Sequence, residues 1–182
     1  MADMRIEHLD RDRLSEARKL VWRCFPHQTL PERFSFWAIA HRESPSMRWL
    51  MARFGVADFL DFWGAIDSQT GRLLGLTGLY TCRSDVTEAV WLAWFCVAPE
   101  ARRQGIGSRL LDYAIEQAKG AGRAYLRLYT SDRSNEAGAQ ILYESRGLQI
   151  VRKKWRLFYT TLYRELQLDS VGKAENAERR PC

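Results

Sequence analysis

The chain of 182 residues is poor in the residues that build metal and disulfide frameworks. It has four cysteines, Cys24, Cys82, Cys96 and Cys182, with no Cys-x-x-Cys pair and no histidine at zinc-ligand spacing. A metal knuckle and a thioredoxin-like motif are thereby excluded, no metal site is expected, and the thiols read as reduced and buried in a cytoplasmic protein. Long apolar runs are missing too. The longest, Ala89 to Ala98, is about half of a membrane span, and the opening MADMRIEHLDRDRL is charged throughout. Neither a transmembrane segment nor a signal peptide is expected, and no membrane partner. With no internal repeat or low-complexity linker, and with 46% hydrophobic and 27% charged residues, the chain is not a disordered or fibrous one. Its length fits one domain.

Cations and aromatic rings are what it does have. Lys and Arg number 28 against 22 Asp and Glu, a net charge of +6, which favours anionic partners. Seven Trp, seven Tyr and eight Phe are enough for a dense core and a flat-walled pocket together.

Periodicity predicts a strand over Met4–Leu9 and a helix over Arg13–Phe25 with Leu14, Ala17, Val21 and Trp22 on one face. A second helix after Pro31 carries Phe34, Trp37, Ala38 and His41 at helical spacing; residues 47–60 fit no single pattern. Phe62–Asp67 and Leu73–Cys82 read as a hairpin around Gly71. Ala89–Val97, apolar on both faces, reads as a central strand covered on both sides. On it Trp91, Ala93 and Phe95 would share one face and Trp94 the other. A helix follows, with Ile106, Leu110, Leu111, Ala114, Ile115 and Ala118 in one stripe, then a strand over Arg123–Thr130. Ser134–Arg146 reads as a helix capped by Ser134 or Asn135 and closed by Gly147. Leu148–Arg152 and Leu157–Leu166 complete the sheet, and the basic run Arg152–Arg156 falls where they join, as edge protection rather than a nucleic-acid patch.

Chemistry concentrates between Trp91 and Ser108, where a buried strand passes through a basic, glycine-rich turn into an amphipathic helix. Gly105 and Gly107 let the backbone approach an anion, the first-turn N–H groups and the helix dipole favour negative charge, and Arg102 and Arg103 add full charges. This suits a pyrophosphate. It is not a Walker loop, because no Gly-Lys-Ser/Thr follows, nor a dinucleotide fingerprint, because the third glycine is missing.

Arg102-x-x-Gly105-x-Gly107 after the Val97-x-Pro99 strand end resembles the acetyl-CoA signature R/Q-x-x-G-x-G/A of the GNAT N-acetyltransferase superfamily, and Tyr143-Glu-Ser-Arg-Gly147-Leu148 resembles its Tyr-x-x-x-Gly-Phe. The resemblance covers residues 60 to 166 well, and the first 60 by element order alone. It implies an α/β GNAT (acyl-CoA N-acyltransferase) fold, a mixed and mostly antiparallel sheet flanked by helices, splayed between the strands at Phe95 and Leu128. It implies one domain over residues 1–168, with variable acceptor-side helices in 1–60 and a cofactor-binding part in 61–168, and a disordered tail over 169–182.

The resemblance also implies site residues. Backbone groups of Phe95, Cys96 and Val97 would hold the pantetheine arm of acetyl-CoA. Backbone N–H groups of Arg103, Gln104, Gly105, Ile106, Gly107 and Ser108 would hold the pyrophosphate, with Arg102 or Arg103 beside it. Asn135 resembles the cofactor-contacting Asn of the family, but stands eight residues before Tyr143 where seven is usual; Glu136 takes the strict position. Tyr143 is the expected general acid, protonating the departing thiolate while an amine attacks the thioester in a ternary complex. The strand position where many relatives carry a Glu base is Ala93, and Asp85, Glu88 and Glu100 read as strand-end charges, which leaves the base unassigned; His27 and His41 fall in the acceptor-side helices. Trp37 and Trp91 are the expected acceptor-binding rings, drawn from a set that includes Trp22, Phe25, Phe34, Trp94 and Phe95. The expected acceptor is a primary amine of a small molecule or peptide, and a homodimer is one assembly the sequence allows. A CoA-sensing module without catalysis is the rival reading.

Overall fold

The computed structural model describes residues 3–168 except 27 and 29, with only the backbone at 30 and 31. The expected tail over 169–182, Cys182 and His27 lie outside the described residues. The element order is β1 (Met4–His8), α1 (Leu14–Cys24), α2 (Leu30–Ala40), α3 (Pro45–Arg53), β2 (Val56–Asp67), β3 (Leu73–Cys82), β4 (Ala89–Val97), α4 (Ile106–Gly120), β5 (Tyr125–Ser131), α5 (Ala137–Ser145), β6 (Gln149–Trp155) and β7 (Thr160–Gln167). The strands form one sheet in the order β1-β2-β3-β4-β5-β7-β6. Only β4 and β5 run parallel, so the sheet is mixed and mostly antiparallel as expected.

The apolar stripe of α4 is buried, with Leu111, Ala114 and Ala118 packed over Val90, Leu92, Leu126 and Leu128. Leu14, Ala17, Val21 and Cys24 of α1 enter a second cluster with Phe36 and Ile39 of α2, Met47 and Met51 of α3, and Ala93 and Cys96 of β4. The sheet is thus covered on both faces, which is why β4 reads as a continuous apolar run. Residues 47–60 resolve into most of α3 and the start of β2, which begins six residues before the expected Phe62.

Several expectations are corrected. Trp22 is not on the buried face of α1; it lies outside, with the guanidinium groups of Arg18 and Arg33 over its ring. In α2 the buried face is Phe36, Ala38 and Ile39, leaving Phe34 and Trp37 exposed. The basic run is not the join between the last strands. Arg152–Trp155 form the second half of edge strand β6, every residue of which is exposed, and only Arg156 belongs to the turn of residues 156–159. Neither Ser134 nor Asn135 caps α5. Residues Ser134–Glu136 form a separate 3₁₀ turn with no capping bond, and the Glu136 carboxylate accepts bonds from the Thr130 and Ser131 hydroxyls and the Ser131 N–H instead.

The largest correction concerns β4. Leu76 pairs with Cys96 and Gly78 with Ala93, so Trp94 and Phe95 together oppose Thr77. This β-bulge puts Trp94 at a φ of 43°, a left-handed backbone for a bulky residue. Packing holds it there: the Trp94 ring lies 5.9 Å from both Phe25 and Phe36, and its Nε1 donates to Ser35 Oγ at 3.0 Å. The extra residue reverses the alternation, so Trp94 joins the face of Trp91 and Ala93 while Phe95 turns to the opposite face, against Tyr143 of α5.

Buried Arg164 fixes α5 to the sheet. At 2% exposure it donates from Nε to Gln140 Oε1, from one terminal nitrogen to the Leu148 carbonyl and from the other to Glu144, at 2.7–2.9 Å. Gln140 in turn donates to Thr130 Oγ1 and the Ser131 carbonyl. Replacing Arg164 with Met leaves the buried Leu148 carbonyl and the half-buried Gln140 oxygen without this donor, while exposed Glu144 turns to water. Arg164→Met is expected to lower unfolding stability by on the order of 3 kcal/mol in a denaturant titration.

Candidate functional site

The parallel ladder between β4 and β5 has three registered pairs, Ala89 with Tyr125, Val90 with Leu126 and Trp91 with Arg127, and ends there. Its base is clamped by charge: Arg127 pairs with Asp85 and Glu165 at 2.7 Å and with Glu88 at 3.2 Å, while Trp91 Nε1 donates to both Asp85 oxygens. Beyond the clamp lies a cavity of about 1800 Å³. It is lined by Trp91–Val97 on one side and Leu128–Ser131 on the other, with the turn after β4 and the inner face of α5. An ordinary single-ligand pocket is roughly 300–1,000 Å³, so this one has room for two reactants.

The turn into α4 is curled by two left-handed residues, Arg103 (φ 61°) and Gly105 (φ 82°). Among the described residues, no backbone N–H from Arg103 to Ser108 has a hydrogen-bond partner. The first turn of a helix leaves such donors over, and here the preceding loop adds its own. Arg102 donates from Nε to the Val97 carbonyl at 3.2 Å, and neither Arg102 nor Arg103 has an ion-pair partner among the described residues. A cluster of directed donors with two cations suits a polyanion. Arg102, Arg103, Gly105, Gly107 and Ser108 all line the cavity. The side chains of the other two expected residues face elsewhere: Ile106 is buried in the core, and Gln104 donates to the Glu100 carbonyl.

Tyr143 lines the same cavity at 5% exposure, with its ring 5.7 Å from Phe95. Its hydroxyl has no hydrogen-bond partner among the described residues, although it is not sealed from the cavity. Burial, with the nearby Glu136 carboxylate adding to it, pushes the phenol above its ordinary value, so it stays protonated throughout the neutral range. Asn135 is exposed on the cavity wall, whereas the Glu136 side chain is committed to the end of β5.

The opposite part of the cavity has an aromatic floor. Phe59, Tyr80 and Trp91 are cross-strand neighbours on β2, β3 and β4, with ring centroids 6.2 Å apart at each step. Tyr129 and Tyr163 continue it on β5 and β7. Trp37 stands on the facing wall, 51% exposed and 4.9 Å from His41, whose Nδ1 bonds to the Trp37 carbonyl. Asp85 and Glu88 are engaged by Arg127, and Glu100 by Arg23 and Arg72, as strand-end charges. Among the described residues the carboxylates lining the cavity are Glu32 and Glu136. Sequence reasoning did not find Glu32, Tyr80 or Tyr129. Tyr129 alternates with buried Leu128 along β5, a local signal, whereas the register that sets Tyr80 beside Trp91 leaves none.

A split parallel pair, an amide cluster at a helix start without partners among the described residues, and a large two-part cavity define a fold whose sheet is open beside a set of donors suited to a polyanion. The chain matches the Acetyltransferase (GNAT) domain family over residues 58–149, half of its length, and it belongs to that family of acyltransferases. GCN5-related N-acetyltransferase 6, chloroplastic, from Arabidopsis thaliana is 39% identical over 61 residues, 34% of this chain and 20% of that protein, so the chain spans only a fifth of this curated relative in the match. Among solved structures, the ribosomal-protein-S18-alanine N-acetyltransferase of Escherichia coli superposes with a TM-score of 0.67 at 19% identity, over 94% of this chain and 97% of that one. A GNAT-family acetyltransferase from Staphylococcus aureus Mu50 gives 0.68 at 17% identity, over 91% and 99%. The yncA protein of Salmonella typhimurium, solved with its cofactor acetyl-CoA, gives 0.63 at 17%, over 98% and 99%. At these identities the superpositions establish the fold.

The two glycines of the turn are expected to behave differently. A Cβ on Gly107 would meet Leu142, Val97 and Phe95 at 3.5–3.7 Å, ordinary contact, whereas Gly105 needs a left-handed backbone. Gly105→Ala should lose about 1–2 kcal/mol in thermal or chemical unfolding, and Gly107→Ala less than about 0.5.

Proposed function

We propose that this protein transfers the acetyl group of acetyl-CoA directly to the primary amine of a small molecule or peptide, with Tyr143 as general acid. The observation that carries the reading is the buried Tyr143 hydroxyl, which among the described residues has no hydrogen-bond partner, on the cavity that also receives the amides of Arg103–Ser108, likewise without partners among those residues. The residues present fit the co-substrate: the amides and the Arg102–Arg103 pair match a pyrophosphate, and the end of β4 offers backbone groups to a pantetheine arm.

In the reaction the amine nitrogen bonds to the thioester carbon, and the carbon–sulfur bond breaks as the tetrahedral intermediate collapses. Tyr143 delivers its proton, or a strong hydrogen bond, to the sulfur as negative charge develops there. With both reactants held in one cavity, no covalent enzyme intermediate is needed and the kinetics are those of a ternary complex. The aromatic floor and Trp37 favour an acceptor whose amine is attached to an apolar or aromatic body. No carboxylate of β4 faces the cavity, so the proton of the attacking ammonium leaves through water or through Glu32, the acceptor-side carboxylate.

Thiol release from acetyl-CoA against a panel of amines, amino acids, polyamines, aminoglycosides and peptides tests this reading. Turnover is expected with at least one class. In Tyr143→Phe, kcat should fall about 10²-fold or more while acetyl-CoA affinity is kept. Because burial raises the phenol, loss of rate through Tyr143 ionisation should not begin below about pH 10. Tight acetyl-CoA binding without turnover on any acceptor would favour the sensor reading. Trp37→Ala and Trp91→Ala should raise acceptor KM several-fold with little change for acetyl-CoA, and unchanged KM in folded variants would remove the aromatic acceptor site.

A further inference from the structure

Cys24 is the last residue of α1 and Cys96 the penultimate residue of β4. Both are buried and both line the cavity. Cys24 Sγ donates at 3.5 Å to the carbonyl of Val97, the residue after Cys96 and the same oxygen that accepts Arg102 Nε, and both side chains belong to one core cluster, which makes the two thiols neighbours. Acetyl transfer as set out above uses neither sulfur.

We propose that Cys24 and Cys96 are an oxidisable dithiol, a site at which hydrogen peroxide modifies the protein, with Cys24 attacked first and Cys96 resolving it to a disulfide. The Cys24 thiolate attacks one peroxide oxygen. The O–O bond breaks, leaving a sulfenic acid on Cys24 and hydroxide, which takes a proton to become water. The Cys96 sulfur, giving up its proton, then attacks the Cys24 sulfur; the S–O bond breaks and a second water leaves. The pair loses two electrons, and the peroxide gains them.

The surroundings divide these roles. The hydrogen bond from Cys96, aided by Arg102 and Arg23, brings the Cys24 thiol down to about 7 against the opposing effect of burial. Its bond to Cys24 and its own burial hold Cys96 well above the ordinary thiol range, so it is the proton donor of the pair. Cys82, elsewhere on the cavity wall, is pushed up to about 11 by burial and should be slow to oxidise. An S–S bond of about 2.05 Å is much shorter than any contact between two unbonded sulfurs, so the disulfide draws α1 toward β4 and removes the Cys24 donor from the Val97 carbonyl.

One consequence rests on the proposed cofactor role of Phe95–Val97. Displacing that wall should weaken acetyl-CoA binding about tenfold. By linkage, saturating acetyl-CoA then makes the dithiol harder to oxidise by the same factor, about 30 mV in its reduction potential.

The test treats the full chain with a small excess of hydrogen peroxide, blocks remaining thiols under denaturing conditions and maps the linked peptides by mass spectrometry. A Cys24–Cys96 peptide is expected as the main product, forming faster as pH rises through 7, with sulfenic acid trapped on Cys24 in Cys96→Ala and no early oxidation of Cys96 in Cys24→Ala. A main product linking Cys82 or Cys182, or no linked peptide at all, would overturn the dithiol. Acetyl-CoA affinity is then measured on the reduced and oxidised forms. A disulfide that leaves affinity unchanged overturns the coupling alone, and a reduced protein that binds no acetyl-CoA overturns the acetyltransferase reading while the dithiol stands.

Discussion

The structure depends on a ladder that stops. Two parallel strands with compatible apolar sequences would ordinarily stay paired along their length, yet β4 and β5 part after Trp91 and Arg127. The bulge at Trp94 gives a physical cause: one extra residue bends and twists β4, and a well-packed tryptophan at a φ of 43° keeps the bend in place. The Arg127 clamp holds the strands together at the other end. Between a fixed base and a bent arm the sheet opens as a wedge, and that wedge is the cavity.

What faces the wedge follows from the same parity change. Phe95 turns to meet Tyr143, while Trp91 stays with the aromatic floor. Tyr143 keeps its place because α5 is tied to β5 and β7 through Arg164, Gln140, Glu144 and Glu136, a polar network whose buried members are satisfied. Among the described residues the phenol has no hydrogen-bond partner, although it sits beside this network. A rigid frame around an uncommitted donor is the arrangement expected where a group must meet a reacting atom.

Much of this was legible in the sequence. The apolar run Ala89–Val97, the stripe of α4 and the helix-closing Gly147 are local signals, and the structure places each as expected. The two spaced motifs were sufficient to indicate the family. Parity beyond Trp94 was not legible, because a bulge is decided by tertiary packing against Phe25, Phe36 and Ser35 and leaves no mark on the strand's own pattern. The aromatic floor depends on register across five strands, and only Trp91 and part of β5 could be placed in advance. Nothing local marks Arg164 as buried, since the sequence does not distinguish a charge satisfied by three partners from one in water.

The claim at the centre is that acetyl-CoA enters the wedge, with its pyrophosphate on the amides of the turn and its arm along the end of β4. Following backbone amide resonances by NMR while acetyl-CoA is titrated into the full chain addresses it directly. The account predicts saturable shifts concentrated at residues 95–97 and 103–108 and at Tyr143, with β1 and the outer face of β6 unmoved. Saturable binding whose shifts fall elsewhere, or no binding at millimolar acetyl-CoA, would contradict it.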